Sequence, residues 1–190
     1  MTGAPYKPIV LIGGTAGSGK SSLANRLCAH LSIDHRIGTG FIRAVLCSET
    51  TQERDPELFS FTFRAEDPIA HLHIQAERMR PAVLECIHRA QEEGTSLIVE
   101  GPHLLPSMYW QLPVGAFFVL AAPPAVEHRN RLNGLTHSRR TISDDDWRNA
   151  RVIDAHIEHD AERHGIPRVL YRDNFAAIAA MISPHPLPGD

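Results

Sequence analysis

The sequence has few cysteines and no excess of basic residues. Its 190 residues include 3 cysteines and 6% aromatic residues, and the formal net charge is −3. A small, odd number of widely spaced cysteines argues against a disulfide framework or a cysteine-based metal site, so Cys28, Cys47 and Cys86 are expected to be buried free thiols. The slightly acidic balance argues against a general binder of nucleic acids or membrane surfaces.

Long hydrophobic runs are missing too. No apolar stretch approaches the length that crosses a bilayer, and the first residues lack the basic start and apolar core of a secretory signal. These absences predict a cytoplasmic protein that contacts neither membranes nor nucleic acids. The hydrophobic content of 43% is that of a globular protein, and the length predicts a single domain over residues 1–190. A monomer and a homodimer remain equally open.

A glycine-rich motif follows the first apolar run. Residues 8–12 predict a strand, residues 14–21 match G-x-x-x-x-G-K-[ST], and residues 20–31 have leucines at helical spacing. The glycines let backbone N–H groups face phosphate oxygens, and the following helix adds its dipole. Lys20 is expected to reach the β- and γ-phosphates of ATP, and Ser21 to hold Mg²⁺. The predicted nucleotide-binding residues of this phosphate loop are Gly14, Thr15, Ala16, Gly17, Ser18, Gly19, Lys20, Ser21 and Ser22.

A second apolar strand ends in a carboxylate. Residues 96–99 are followed by Glu100 and Gly101. An acid beside a phosphate loop serves Mg²⁺ or the attacking nucleophile, because both need an anionic oxygen there. Glu100 is therefore expected to bind the metal through water or to accept a proton from a substrate hydroxyl. A glutamate at an exposed strand end, with no role in the site, is the alternative.

Arginines are spread over segments that are expected to flank the site. Arg43 lies one turn inside a helix that Thr39 is predicted to cap, and it faces either substrate or solvent. Residues 48–66 lack periodicity and have alternating phenylalanines, which suits a substrate flap or a hydrophobic plug against the core. Residues 134–142 suit a mobile lid that closes over the nucleotide. The candidate lid cations are Arg129, Arg131, Arg139 and Arg140, with ordinary solvated arginines as the alternative.

Strands alternate with helices along the chain. Strands are predicted over residues 8–12, 33–37, 96–100, 114–121 and 168–171, and helices over 20–31, 39–46, 67–93, 143–164 and 173–182. A further helix that contains residues 127–131 is predicted after Pro123-Pro124. Pro81 is expected to kink or restart its helix, and residues 184–190 to fray. This alternation predicts an α/β fold of three layers around a five-stranded parallel sheet, with ligands at the carboxyl ends of the strands.

Several short sequence motifs together resemble those of 2-phosphoglycerate kinases. They are the phosphate loop, Ile42-Arg43 after Thr39, the phrase Val-Glu-Gly-Pro-His-Leu-Leu-Pro at 99–106, His128-Arg129 with Arg131, and Arg151 with Ile166-Pro167. The resemblance implies a P-loop kinase with the nucleoside-monophosphate-kinase-like fold and a helical lid. It would use ATP and Mg²⁺ to convert 2-phosphoglycerate into 2,3-bisphosphoglycerate.

The resemblance also implies roles for the matching residues, and the predicted lid implies roles for Arg139 and Arg140. Catalysis would involve Lys20, Glu100, Arg129 and Arg139, and the metal would lie at Ser21 and Glu100. Arg131 and Arg140 would join the loop in binding the nucleotide. The acceptor, a small polyanion, would be bound by Thr39, Arg43, His103 and Arg151.

The sequence departs from the family at one position. The family usually has an Asp after the residue that matches Thr39, whereas this chain has Gly40. Either Glu100 or Asp34 replaces that acid, or the acceptor differs. A kinase for a sugar, a nucleoside or an antibiotic-like acceptor, and a non-catalytic ATP-binding regulator, are the alternatives that Gly40 leaves open.

Overall fold

The computed structural model describes residues 7–134, 141–170 and 174–182. Five parallel strands form one sheet in the order β2-β3-β1-β4-β5. They are β1 (Ile9–Gly13), β2 (His35–Gly38), β3 (Leu97–Glu100), β4 (Ala116–Leu120) and β5 (Arg168–Val169). The helices are α1 (Lys20–Leu31), α2 (Thr39–Ser48), α3 (Pro68–Glu93), α4 (Pro106–Tyr109), α5 (Ala125–Leu132), α6 (Asp144–Arg163) and α7 (Phe175–Ile182). The predicted alternation and the five-stranded parallel sheet are confirmed.

Helices cover both faces of the sheet. Alternate residues of β1 point to opposite faces, and the whole strand is buried. Val10 and Ile12 belong to the cluster formed with α1 and α7, whereas Leu11 belongs to the cluster formed with α3. A third cluster joins Val119 of β4 to α6. The result is the three-layer arrangement that the sequence predicts.

Long helix α3 begins and ends where the sequence predicts. Asp67 caps it by accepting hydrogen bonds from the backbone amides of Ile69 and Ala70, and Gly94 ends it at φ 62°. The predicted restart at Pro81 is wrong, because the helix continues through it. Pro81 is exposed, so the backbone carbonyl that loses its amide partner can bind water instead.

Two other expectations need correction. Thr39 is the first residue of α2 rather than its cap; Gly38 occupies the cap position, and no side chain caps the helix. The cysteines are free, as expected, but half-buried rather than buried.

The segment between α2 and α3 contains two short 3₁₀ helices, Pro56–Phe59 and Thr62–Arg64. Leu58 and Phe63 are buried in the core clusters, which agrees with the plug alternative, and Phe61 stacks on Phe63 at a centroid distance of 5.3 Å. A flap function for residues 48–66 stays a prediction. Most of the predicted lid, including Arg139 and Arg140, and the tail at 184–190 lie outside the described residues. Among the helices that the structure describes, none has the length and apolarity needed to cross a membrane.

The tight contact at Gly14 gives a test of the loop's packing. Gly14 has φ 131°, and a Cβ there would lie 2.4 Å from the backbone oxygen of Leu120. Gly14→Ala is expected to lower the free energy of unfolding by about 2 kcal/mol or more, since both backbone strain and a backbone clash result. Urea unfolding followed by circular dichroism measures this loss. Gly94→Ala, where φ is also positive but the space is open, should cost only about 1 kcal/mol; equal losses would contradict the packing argument.

Candidate functional site

The phosphate loop connects the carboxyl end of β1 to α1. Gly17 and Gly19 have φ values of 78° and 103°, which favour glycine. Gly19 occupies the cap position of α1, and no side chain caps the helix there. Gly19 has no side chain that could cap the helix, and the amino end of a helix favours an anionic ligand.

Helices α5 and α6 fix the loop from the opposite side. His128 donates from Nε2 to the carbonyl of Ala16 at 2.8 Å, and Arg131 donates to the carbonyl of Ser18 at 3.0 Å. The hydroxyl of Thr15 donates to the carbonyl of Ala150 at 3.1 Å. Burial lowers the pKa of His128, so its ring is neutral at physiological pH. Arg131, predicted to bind nucleotide, is thus placed against the loop backbone.

Lys20, Ser21 and Glu100 meet at the start of α1. Lys20 Nζ donates to the carbonyl of Thr15 at 2.5 Å and to Ser18 Oγ at 3.3 Å. Ser21 Oγ donates to Glu100 Oε1 at 2.8 Å. The glutamate is buried, so the exposed position that the alternative assumed is wrong, while the role of Glu100 stays a prediction. The structure therefore brings together the three residues that the sequence assigns to phosphate and metal.

Arg36 is a site residue that sequence reasoning missed. Its Nη1 donates to the same Oε1 of Glu100 at 3.1 Å. Gly38 pairs with Glu100 in the sheet, and residues two apart on a strand point to the same face, so Arg36 lies on the face of Glu100. Finding it required the register of β2 against β3.

A cleft of about 490 Å³ opens beside the loop at the carboxyl ends of the strands. Its described lining residues with polar or aromatic side chains are Lys20, Ser21, Thr39, Phe41, Arg43, Phe61, Thr62, Phe63, Gln75, Glu100 and His103. Glu100 is the only carboxylate, and Arg43 the only arginine, among the described residues that line it. The described cleft lining therefore has one negatively charged side chain, Glu100, and two positively charged side chains, Lys20 and Arg43.

Arg43 is a positioned cation rather than a solvated surface residue. Its Nη1 donates to the carbonyl of Ser60, and its guanidinium carbon lies 5.3 Å from the centroid of the Phe61 ring. Burial lowers the pKa of Arg43, although an arginine remains charged at physiological pH. Arg43 thus presents a fixed positive charge to the cleft.

His103, predicted to bind the acceptor, lies in the cleft wall but is not a charged donor. Burial, together with the nearby charges of Arg43 and Lys20, lowers its pKa to about 3, so the ring is neutral. Its Nε2 faces Gln75 Oε1 at 2.8 Å, and its Nδ1 faces Thr39 Oγ1 at 2.8 Å. Both ring nitrogens are thus occupied by protein groups.

Three predicted residues are not brought to the cleft. Arg151 lies 3.4 Å from Asp154 and from the carbonyl of Pro123. Arg129 forms an ion pair with Asp144 and lies over the ring of Trp147. Neither belongs to the described cleft lining, because each sits on a helix surface that faces another partner. Their catalytic and acceptor-binding roles stay predictions.

Asp34 is the third of these residues, and it cannot replace the missing acid at position 40. It precedes β2, at the amino ends of the strands, and accepts hydrogen bonds from Lys7 and Ser96. The bond from Lys7 lowers the pKa of its carboxyl. Gly40 itself lines the cleft, and a Cβ there would meet no atom within 4 Å. Glu100 is left as the acid of the described site.

A family model described as an AAA domain matches residues 10–154 of the chain. The chain belongs to this family. The match begins in β1 and ends in α6, so it includes the phosphate loop, Glu100 and the described residues of the cleft.

This AAA domain is similar to proteins named 2-phosphoglycerate kinase. It is 27% identical to the one from Methanothermobacter thermautotrophicus, over 92% of this chain and 64% of that protein. It is 28% identical to the one from Thermococcus kodakarensis, over 83% of this chain and 59% of that protein. The chain thus spans about three fifths of the length of these curated relatives, and the resemblance found in the sequence motifs is confirmed.

Solved structures confirm the fold. Shikimate kinase from Acinetobacter baumannii, in complex with shikimate, superposes with a TM-score of 0.57 over 93% of this chain and 90% of that chain. The sequence identity is 12%, so the match shows the three-layer P-loop fold alone.

The neutral His103 makes stability depend on pH. The ring has a pKa of about 3 in the folded protein and about 6.5 when unfolded, so below pH ~6.5 the unfolded state binds the extra proton. His103 should therefore lower the free energy of unfolding by about 1 kcal/mol between pH ~6 and ~5. Urea unfolding of the wild type and of His103→Gln at both pH values measures the contribution of His103 to this change in the free energy of unfolding. An equal loss in the variant would show that His103 is not the cause.

Proposed function

We propose that this chain is an ATP- and Mg²⁺-dependent kinase that phosphorylates the hydroxyl of 2-phosphoglycerate or a closely related phosphorylated carboxylic acid. The observation that supports it most is the placement of Glu100 and Arg43 in one cleft beside the phosphate loop. One fixed arginine fits an anionic acceptor but does not identify it. The choice of 2-phosphoglycerate therefore comes from the names of the relatives.

The residues beside the loop fit a magnesium ion. Ser21 Oγ and the Glu100 carboxylate are hard oxygen donors 2.8 Å apart. The described part of the chain contains no group of three acidic, histidine or cysteine side chains that could hold a metal alone. This scarcity suits Mg²⁺, which keeps water and phosphate oxygens among its ligands. When bound, Mg²⁺ would neutralise charge on the transferring phosphoryl group.

The chain's own residues then bind and orient the reactants. The loop amides and Lys20 bind the triphosphate, and Arg43 binds an anionic group of the acceptor. The transition state of phosphoryl transfer is loose, so a general base contributes less than correct positioning of the hydroxyl. For this reason Gly40, where the family usually has Asp, is compatible with transfer, and we assign Glu100 to the metal rather than to the proton.

ADP release with ATP and Mg²⁺, measured with and without 2-phosphoglycerate, tests the proposal. Stimulation by the acceptor, with a new bisphosphate signal in the phosphorus NMR spectrum, is expected. Lys20→Ala should abolish transfer because it removes the charge that faces the β- and γ-phosphates. Lys7→Ala, which removes a surface ion pair with Asp34, is the matched control and should keep wild-type turnover. ATP binding without any phosphorylated product would contradict the proposal and favour the non-catalytic alternative.

Glu100→Gln separates a metal role from a structural one. The amide keeps an acceptor for Ser21 but loses the negative charge, so turnover should fall about 100-fold or more while the Kd for ATP without metal changes little. Steady-state kinetics and calorimetry measure the two quantities. Glu85→Gln on the exposed surface of α3 should leave both unchanged. Comparable losses of turnover and of metal-free ATP affinity in Glu100→Gln would contradict the assignment.

A further inference from the structure

A buried glutamine connects the acceptor side of the cleft to the segment between α2 and α3. Gln75 of α3 has no exposed surface. Its Nε2 donates to the carbonyl of Ser60 at 2.9 Å and to the carbonyl of Glu57, and it lies 3.1 Å from His71 Nε2. Its Oε1 faces His103 Nε2 at 2.8 Å. Both ends of the amide are thus hydrogen-bonded, as a buried polar group requires.

These contacts fix which way the amide points. Two backbone carbonyls can only accept, so the atom between them must be the nitrogen. Turning the amide over would place its oxygen against both carbonyl oxygens. Gln75 Oε1 therefore faces His103, and the nitrogen of His103 that it meets must carry the proton.

The proton on Nε2 then determines the hydrogen bond on the other side of the ring. His103 is neutral, so its Nδ1 has only a lone pair. The Thr39 hydroxyl, 2.8 Å away, must donate to it. Thr39 consequently offers lone pairs and no hydrogen to a ligand: it can accept from the hydroxyl of an acceptor but cannot donate to its phosphate or carboxylate.

The same amide also fixes the anchor of Arg43. The carbonyl of Ser60 accepts from both Gln75 Nε2 and Arg43 Nη1. A shift of this carbonyl would move the guanidinium that lines the cleft. One side chain therefore controls the hydrogen-bonding direction of Thr39 and the position of Arg43.

We infer that Gln75 is a positioning residue for the acceptor: it fixes the Nε2–H tautomer of His103, makes Thr39 a hydrogen-bond acceptor toward the cleft, and holds the carbonyl that anchors Arg43. This inference rests on the proposed kinase function, because the acceptor's hydroxyl and anionic group are what Thr39 and Arg43 would bind. Gln75 itself touches neither reacting atom.

The tautomer of His103 can be measured without any turnover. Long-range proton–nitrogen NMR spectra of the labelled protein, with His103 assigned by its loss in His103→Gln, should show the Nε2–H form. Gln75→Met removes the acceptor that holds this proton and should shift His103 toward the Nδ1–H form. Gln91→Met, on the exposed face of the same helix, should change nothing. An Nδ1–H form in the wild type, or an unchanged form in Gln75→Met, would overturn the inference.

Gln75→Glu tests the same role by kinetics. A protonated glutamic acid keeps one donor and one acceptor in the place of the amide, whereas the carboxylate has no hydrogen for Ser60. Burial should raise the pKa of this glutamic acid above its ordinary value. The titratable or charged groups around the position are His71 on α3, His103, Arg43 from α2 and Lys20 from α1. The variant should therefore work best at low pH.

The KM for the acceptor should rise about tenfold as the glutamic acid ionises, as expected for one lost buried hydrogen bond, while the KM for ATP stays constant. The wild type and Gln91→Glu should lack this rise. An equal rise in both KM values, or a flat pH response, would count against positioning. If the wild type transfers nothing to 2-phosphoglycerate, the proposed function fails, and the NMR measurement still decides the inference on Gln75.

Discussion

The pairing of β1 with β3 is the constraint on which the site depends. It places Ile12 opposite Glu100, just before the phosphate loop begins. The carboxylate is thereby carried to the first turn of α1, where Ser21 donates to it. Because both strands are buried on two faces by helices, neither can shift register without exposing apolar residues. Hydrophobic packing of the sheet therefore sets the distance between the phosphate loop and its acid.

The side of the cleft that we propose binds the acceptor is built differently, from buried polar groups rather than from strand pairing. Thr39, His103, Gln75 and Ser60 form a continuous set of hydrogen bonds from the start of α2, through α3, to the segment before it. Such a set is stable only when every member is paired, since an unpaired buried polar group is costly. On this side of the cleft, a single substitution is therefore expected to leave a neighbouring buried polar group without its partner.

The sequence predicts the elements of this fold and the phosphate side of the site well, because the loop motif and the strand before Glu100 are local signals. It does not predict which helix surface faces the cleft, so Arg129 and Arg151 are expected there although the structure places them elsewhere. Nor does it predict the register of β2 against β3, which brings Arg36 to Glu100. The sequence predicts that His103 binds the acceptor; the structure places His103 in the cleft wall, and the burial that keeps its ring neutral cannot be read from a motif. Gln75 had a detectable signal: it lies three residues after Leu72 on the apolar face of α3, where a polar residue is unusual.

Glycine at position 40 has a consequence for how α2 is held. A glycine in the first turn weakens a helix's own preference to form, and here no side chain caps that end. Thr39 is nevertheless buried, and it is hydrogen-bonded to His103 in the cleft wall. The start of α2 is therefore held by His103, from the segment after β3, rather than by a side-chain cap. Position 40, which lines the cleft, can thus lack a side chain while the start of α2 stays fixed.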